Sequence, residues 1–305
     1  MGDPVVATFN QQTKVGDRIN LPLIGYGPSR LSMSARITAE QQRAQLANPV
    51  VGLLDVEAGN LINIENWLLD RRREIDEEAL AESSRQLAEK RMSSVLQALK
   101  QLMPYVADIR IRANDIEYLD KTTWRTSGKL SAGHKNILAM IGDMMVRLYH
   151  FNAPETEDVG DLHGVVLIDE FEAHLHPRWQ YALPNLLRET FPKIQFIAST
   201  HSPIPLLGAP VDTLLLKVSH DAQYHTVIER LDIALGDMQP NSLLTSPLFG
   251  LDSLFSPHHP KPEEIQTEND FREVLSHQNR DEYRKWSKAN VQFPENFFKL
   301  GTDKS

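Results

Sequence analysis

The 305-residue sequence contains no cysteine, and that absence removes disulfides, thiolate zinc sites and cysteine nucleophiles together. It has no apolar run of membrane-spanning length, and the opening MGDPVVATFNQQTK lacks the hydrophobic stretch of a secretory signal. Positive charge is also short. Lys and Arg number 32 against 41 Asp and Glu, a net −9, so bulk electrostatics do not mark a binder of nucleic acid or anionic membrane. A local basic patch is still compatible with that balance. No internal repeat is present. The expected class is a cytoplasmic protein with no membrane association. At 41% hydrophobic and 24% charged residues, the chain has material for one large domain or two small ones.

What is there begins with LPLIGYGPSR (21–30), an apolar run stopped by Gly25, Gly27 and Pro28, as a buried strand entering a tight loop would be. NPVVGLLD is a weak apolar island. From Asn63 to about Met103 the pattern is helical, with Leu80, Leu87, Val95, Leu96, Leu99 and Leu102 at helical steps and charges between them. Pro104 should stop it. DIRIRANDIEYL alternates like a half-buried hairpin, and Arg110 and Arg112 share one of its faces, more like an ordinary exposed strand than a phosphate contact. RRREIDEE reads as a solvated helix face.

GVVLIDE, HPRWQYALPNLLRETF and IQFIAST then form a β-α-β unit, which predicts parallel strands, a crossover helix and an α/β core. Pro184 should kink that helix. DTLLLKV predicts one more strand. SPHHPKPEE reads as a linker before a charged helical tail, and His258 and His259, like His174 and His176, lack the spaced carboxylate of a metal site.

The chemistry concentrates in VVLIDEFEAHLHP. Val165 to Ile168 are an uninterrupted apolar run, as in a parallel strand covered on both faces. Ligands in open α/β sheets sit beyond such strand ends. Asp169 and Glu170 close the run, and neighbouring strand residues point to opposite faces, so the two need a turn to serve one site. The natural division of labour puts Asp169 near a hydrated Mg²⁺ and Glu170 near a water that attacks phosphate. IQFIASTHSP delivers Thr200 and His201 to the same edge, where His201 is either a phosphate sensor or an ordinary solvated histidine. LSAGHK places Ser131 and Gly133 at a helix start, either an anion site or a simple serine cap.

In that order, LSAGHK, VVLIDEFEAHLHP and STHSP resemble the signature motif, the Walker B strand with its D-loop, and the switch histidine of ABC-type ATPase heads. The resemblance is to the RecF-like and SMC-like branch of AAA-labelled ATPases. LPLIGYGPSR, IENWL and SPLFGLDS extend it toward the ATPases of Septu-like and retron-associated anti-phage systems, over about residues 20 to 255.

The resemblance implies ATP and Mg²⁺ as cofactors. It gives Asp169 the metal, Glu170 the hydrolytic water and His201 the γ-phosphate, with Glu170 and His201 as the catalytic pair. Ser131, Gly133, Lys135 and His174 would touch ATP, the signature residues reaching nucleotide held by an opposite subunit. Two heads would then form a homodimer, or a higher oligomer, that gates a partner nuclease or DNA. The implied fold is the parallel-sheet core of an ABC-type head. Its divisions would be a strand segment over 1–35, a helical insertion over 36–104, the ATPase core over 105–235, and a linker and helical tail over 236–305.

One departure is large. A Walker A loop needs a glycine cradle with Lys and Ser/Thr. The sole Gly-Lys pair is Gly128–Lys129, with Thr123 in place of the first glycine and Leu130 in place of the hydroxyl residue. The Walker A portion is therefore expected outside this chain, and residues 1–305 alone should bind and hydrolyse ATP poorly. The competing class is a scaffold or regulatory subunit that completes another's site. A Toprim-bearing nuclease of the overcoming-lysogenisation-defect kind is disfavoured, because no Glu and later Asp-x-Asp follow His201 on strands.

Overall fold

The computed structural model describes residues 21–28, 46, 61–77, 81–103, 106–112, 115–120, 122–231, 243, 244, 246, 248 and 249. By its contacts the chain separates into Met1–Gly250 and Leu251–Ser305; the second unit lies outside the described residues, as do the expected divisions at 35 and 235 and the apolar island NPVVGLLD.

Strands β1 (Leu23–Tyr26), β5 (Gly164–Ile168) and β6 (Ile194–Ala198) form a parallel sheet in the order β1-β5-β6. Helix α4 (Pro177–Thr190) is the crossover between β5 and β6, as the apolar run, His-Pro start and second apolar run require. His176 caps α4, its ring Nδ1 accepting from the Arg178 amide, and Pro177 opens the first turn where a missing N–H costs nothing. Pro184 is accommodated inside α4, which continues to Thr190.

The helical region divides into α1 (Ile64–Asp76) and α2 (Glu82–Leu102). Asn63 caps α1, its side chain accepting from the amides of Glu65 and Asn66. The charged run is a paired surface: Arg71 meets Glu74, Arg72 meets Asp76 and Arg73 meets Asp70, each within one helical turn. The hairpin of β2 (Val106–Arg112) and β3 (Asp115–Asp120) gains a third antiparallel strand, β4 (Thr123–Thr126). Arg110 is committed within it, pairing with Glu117 and lying 3.8 Å from the Trp124 ring centroid. A second hairpin joins β7 (Leu215–His220) to β8 (Thr226–Leu231), which places the predicted strand of DTLLLKV somewhat later.

The centre of the core is α3 (Ala132–Phe151), buried continuously from Ile137 to Tyr149. A helix apolar on all sides belongs inside. Two of its buried residues are charged. Asp143 accepts from Arg147 Nε, from the Tyr26 hydroxyl and from the Ile62 amide, each at 2.7 Å. Burial first, and the Asp143 charge second, hold the Tyr26 phenol far above its ordinary range, so it stays a donor. Gly142 admits α1 closely: a Cβ there would lie 2.5 Å from Ile64 Cβ. Residues of α1, α2, β1, β2, β3, α3, β5, α4 and β6 all contribute to one apolar cluster.

Candidate active site

The parallel sheet presents three aligned strand ends. Tyr26 stands opposite Ile168, and Ile168 opposite Ala198. The residues that follow β5 are Asp169 and Glu170; those that follow β6 are Ser199, Thr200 and His201. The register therefore brings Asp169, Glu170 and His201 to one sheet edge. The turn that two adjacent acids need is present: Glu170 adopts a left-handed backbone, φ 47°, just beyond the strand. A non-glycine residue in that region is held there by its surroundings.

Ser199 is what holds the pair. Its hydroxyl donates to Asp169 Oδ1 and accepts from the Glu170 amide, while its own amide donates to the Ile168 carbonyl and its carbonyl accepts from the Phe171 amide. The turn continues through Ala173 N to Glu170 O at 2.8 Å and Leu175 N to Glu172 O at 3.0 Å. His174 is the second left-handed residue of this segment, φ 63°, with an exposed side chain. Phe171 and Leu175 anchor the turn in the core.

Glu172, in the same turn, accepts from the Thr200 hydroxyl at 2.6 Å and from the His201 amide at 2.7 Å on the neighbouring loop. Ser202 donates to Gln180 Oε1 at 3.0 Å and caps α5 (Pro203–Leu207). Helix α5 lies backbone to backbone on α4: a Cβ at Gly208 would fall 1.7 Å from the Tyr181 carbonyl oxygen. The His201 side chain is exposed.

The signature-like turn lies elsewhere on the chain but is tied to the same segment. Ser131 caps α3, its Oγ 2.6 Å from His134 Nδ1 and accepting weakly from the His134 amide. His134 meets Trp179 edge-on at 5.7 Å, and Asn136 Nδ2 donates to the His174 carbonyl at 3.4 Å. Burial lowers the His134 pKa from its ordinary value. The space where a Gly133 side chain would sit is open to 4 Å. Lys135 donates to the Gly128 carbonyl at 2.7 Å, so its ammonium is engaged on the turn over Ser127–Lys129. That turn follows the antiparallel strand β4 and contains the Gly-Lys pair, which is thus outside the parallel sheet.

Sequence reasoning did not single out Ser199, Glu172 or Gln180. All three lie within or beside quoted motifs, but their partners are fixed by the left-handed turn, which spacing does not reveal. Among the described residues no group of three or more His, Asp or Glu is arranged to enclose a metal ion, and no helix is long and apolar enough to cross a membrane.

Residues 61–205 match the family described as "AAA domain, putative AbiEii toxin, Type IV TA system". The chain is 35% identical over 140 residues to the retron Vc95 probable ATPase of Vibrio cholerae serotype O1 biovar El Tor, covering 44% of this chain and 26% of that protein. It is 36% identical over 126 residues to the Septu protein PtuA of Bacillus mycoides (strain KBAB4), covering 40% of this chain and 16% of that protein. It thus spans about a quarter of the first relative's length and a sixth of the second's. Superposition on the SMC head domain from Thermotoga maritima has a TM-score of 0.35 at 17% identity and covers 54% of this chain and 52% of that one. Over these stretches the chain is similar to this AAA-domain family, to a probable ATPase of a retron and to a Septu protein.

Proposed function

We propose that the full-length protein hydrolyses ATP with Mg²⁺ as an ABC-type head of an anti-phage system, and that two copies close on nucleotide to gate an effector such as a nuclease acting on DNA. The observation that carries this reading is the aligned edge of β1, β5 and β6, with Asp169, Glu170 and His201 on it.

The donor set fits Mg²⁺. A carboxylate and a hydroxyl are hard oxygen donors, and Mg²⁺ bound with phosphates typically takes only one or two protein carboxylates beside its waters. The absence of a three-ligand cage among the described residues is compatible with that mode. Asp169 and Ser199 would support the ion; when bound, it would neutralise charge building on the phosphate oxygens. Glu170 would take a proton from the attacking water, its place set by the left-handed turn and by Ser199. His201 would donate to a terminal phosphate oxygen. Ser131 and Gly133, at a helix start with open space before the glycine, would bind phosphate of nucleotide on the opposite copy, aided by Lys135 and His174.

Glu170→Gln in the full-length protein tests the assignment. Turnover should fall about a hundredfold or more while ATP still binds, and chelation of Mg²⁺ should abolish turnover in the parent. Unchanged turnover in the variant removes Glu170 from the chemistry.

The position of Gly128–Lys129 beside antiparallel β4 favours a second reading, in which this chain completes a nucleotide site held elsewhere. Under it, the full-length protein would lack turnover of its own and raise that of a partner.

A further inference from the structure

We propose that Glu172 is a positioning residue, whose carboxylate sets the place of His201 relative to the acid pair by gripping the loop that carries it; this rests on the ATPase reading above. The two carboxylate oxygens take two different donors from consecutive residues. Oε2 accepts from the Thr200 hydroxyl at 2.6 Å and Oε1 from the His201 amide at 2.7 Å. Both lengths are those of charge-assisted bonds. Together they fix a hydroxyl rotor and a peptide plane, and so determine from where the His201 side chain departs.

Glu172 belongs to the turn that begins at Glu170, and its carbonyl accepts from the Leu175 amide within that turn. The grip is mutual: Ser199, from the histidine strand, holds Asp169 and Glu170, while Glu172, from the acid turn, holds Thr200 and His201. Displacing the acid turn therefore displaces the imidazole with it. Other ties of this loop are local or lateral, among them the Ser202 amide to Thr200 Oγ1 at 3.1 Å and the Ser202 hydroxyl to Gln180 at 3.0 Å. Neither holds the His201 amide.

The chemistry predicts graded variants. A glutamine can turn its oxygen to the His201 amide, which only donates, and its NH₂ to the Thr200 hydroxyl, which accepts equally well and can send its own proton to the Ser202 carbonyl 3.3 Å away. An alanine loses both bonds. In the full-length protein, Glu172→Ala should lower kcat tenfold to a hundredfold with KM for ATP within threefold, because misplacing a group by about an ångström acts on the transition state. Glu172→Gln should stay within about threefold of the parent. Thr200→Val, which removes only the hydroxyl, should fall between them.

Amide hydrogen exchange supplies a readout independent of turnover. The His201 amide should exchange faster in Glu172→Ala and at the parental rate in Glu172→Gln. Turnover of Glu172→Ala within twofold of the parent overturns the proposal, and so does a turnover loss with unchanged exchange at His201. If Glu172→Ala does not fold, the Thr200→Val and Glu172→Gln pair decides by the same two readouts. A parent protein without ATP turnover strikes down the ATPase reading and the catalytic role with it, and exchange at His201 then still decides whether the grip exists.

Discussion

The Ser199 hydroxyl donates to Asp169 and accepts from the backbone amide of Glu170, so one side chain just past β6 sets two acidic residues just past β5. Removing it leaves the Glu170 amide without that acceptor in a backbone region that needs support. Ser199→Ala should therefore lower ATP turnover about tenfold or more in the full-length protein. Ser199→Thr, which keeps the hydroxyl, should retain more of it. Steady-state hydrolysis on the two variants checks this, and equal activity in both would deny Ser199 the role.

The buried Asp143–Arg147 pair should be costly to break from one side only. Asp143 also serves Tyr26 and the Ile62 amide, so Asp143→Asn leaves a buried guanidinium without its counter-charge. Destabilisation of ~3–5 kcal/mol is expected. Chemical denaturation measures it. The joint change Asp143→Leu with Arg147→Met should cost less than the two single losses added together.

His134 carries a pH dependence with a definite sign. Burial lowers its pKa below the ordinary 6.5, so the unfolded chain takes up a proton that the folded chain refuses. Its stabilising contribution is full above pH 6.5 and declines as pH falls from there toward the depressed folded value. His134→Phe, which can keep the edge contact with Trp179, should remove that decline. Unfolding curves at pH 7.5, 6.5 and 5.5 for both proteins test the difference.

Much of this arrangement can be read from residue order because it is local. An apolar run ending in Asp169 and Glu170, a His-Pro helix start and a second apolar run ending near His201 leave little choice but a parallel β-α-β unit. The alternation around Arg110 likewise yields the β2–β3 hairpin. What could not be read is long-range or conformational. Nothing local pairs Leu23 with Val165. The short TWRT strand has too few residues to announce itself. Asp143 and Arg147, four apart in an apolar stretch, were a visible sign of a buried ion pair, whereas the partnerships of Ser199 and Glu172 depend on a backbone turn that residue types do not encode.

The β1-β5-β6 order has a consequence for the chain as it is made. The partner of β1, β5, is synthesised only after α1, α2, the β2-β3-β4 sheet and α3. Closing so long a loop is entropically slow, while the intervening hairpins and helices satisfy themselves from nearby residues. The acid edge therefore comes together after the elements that lie between its strands in the sequence.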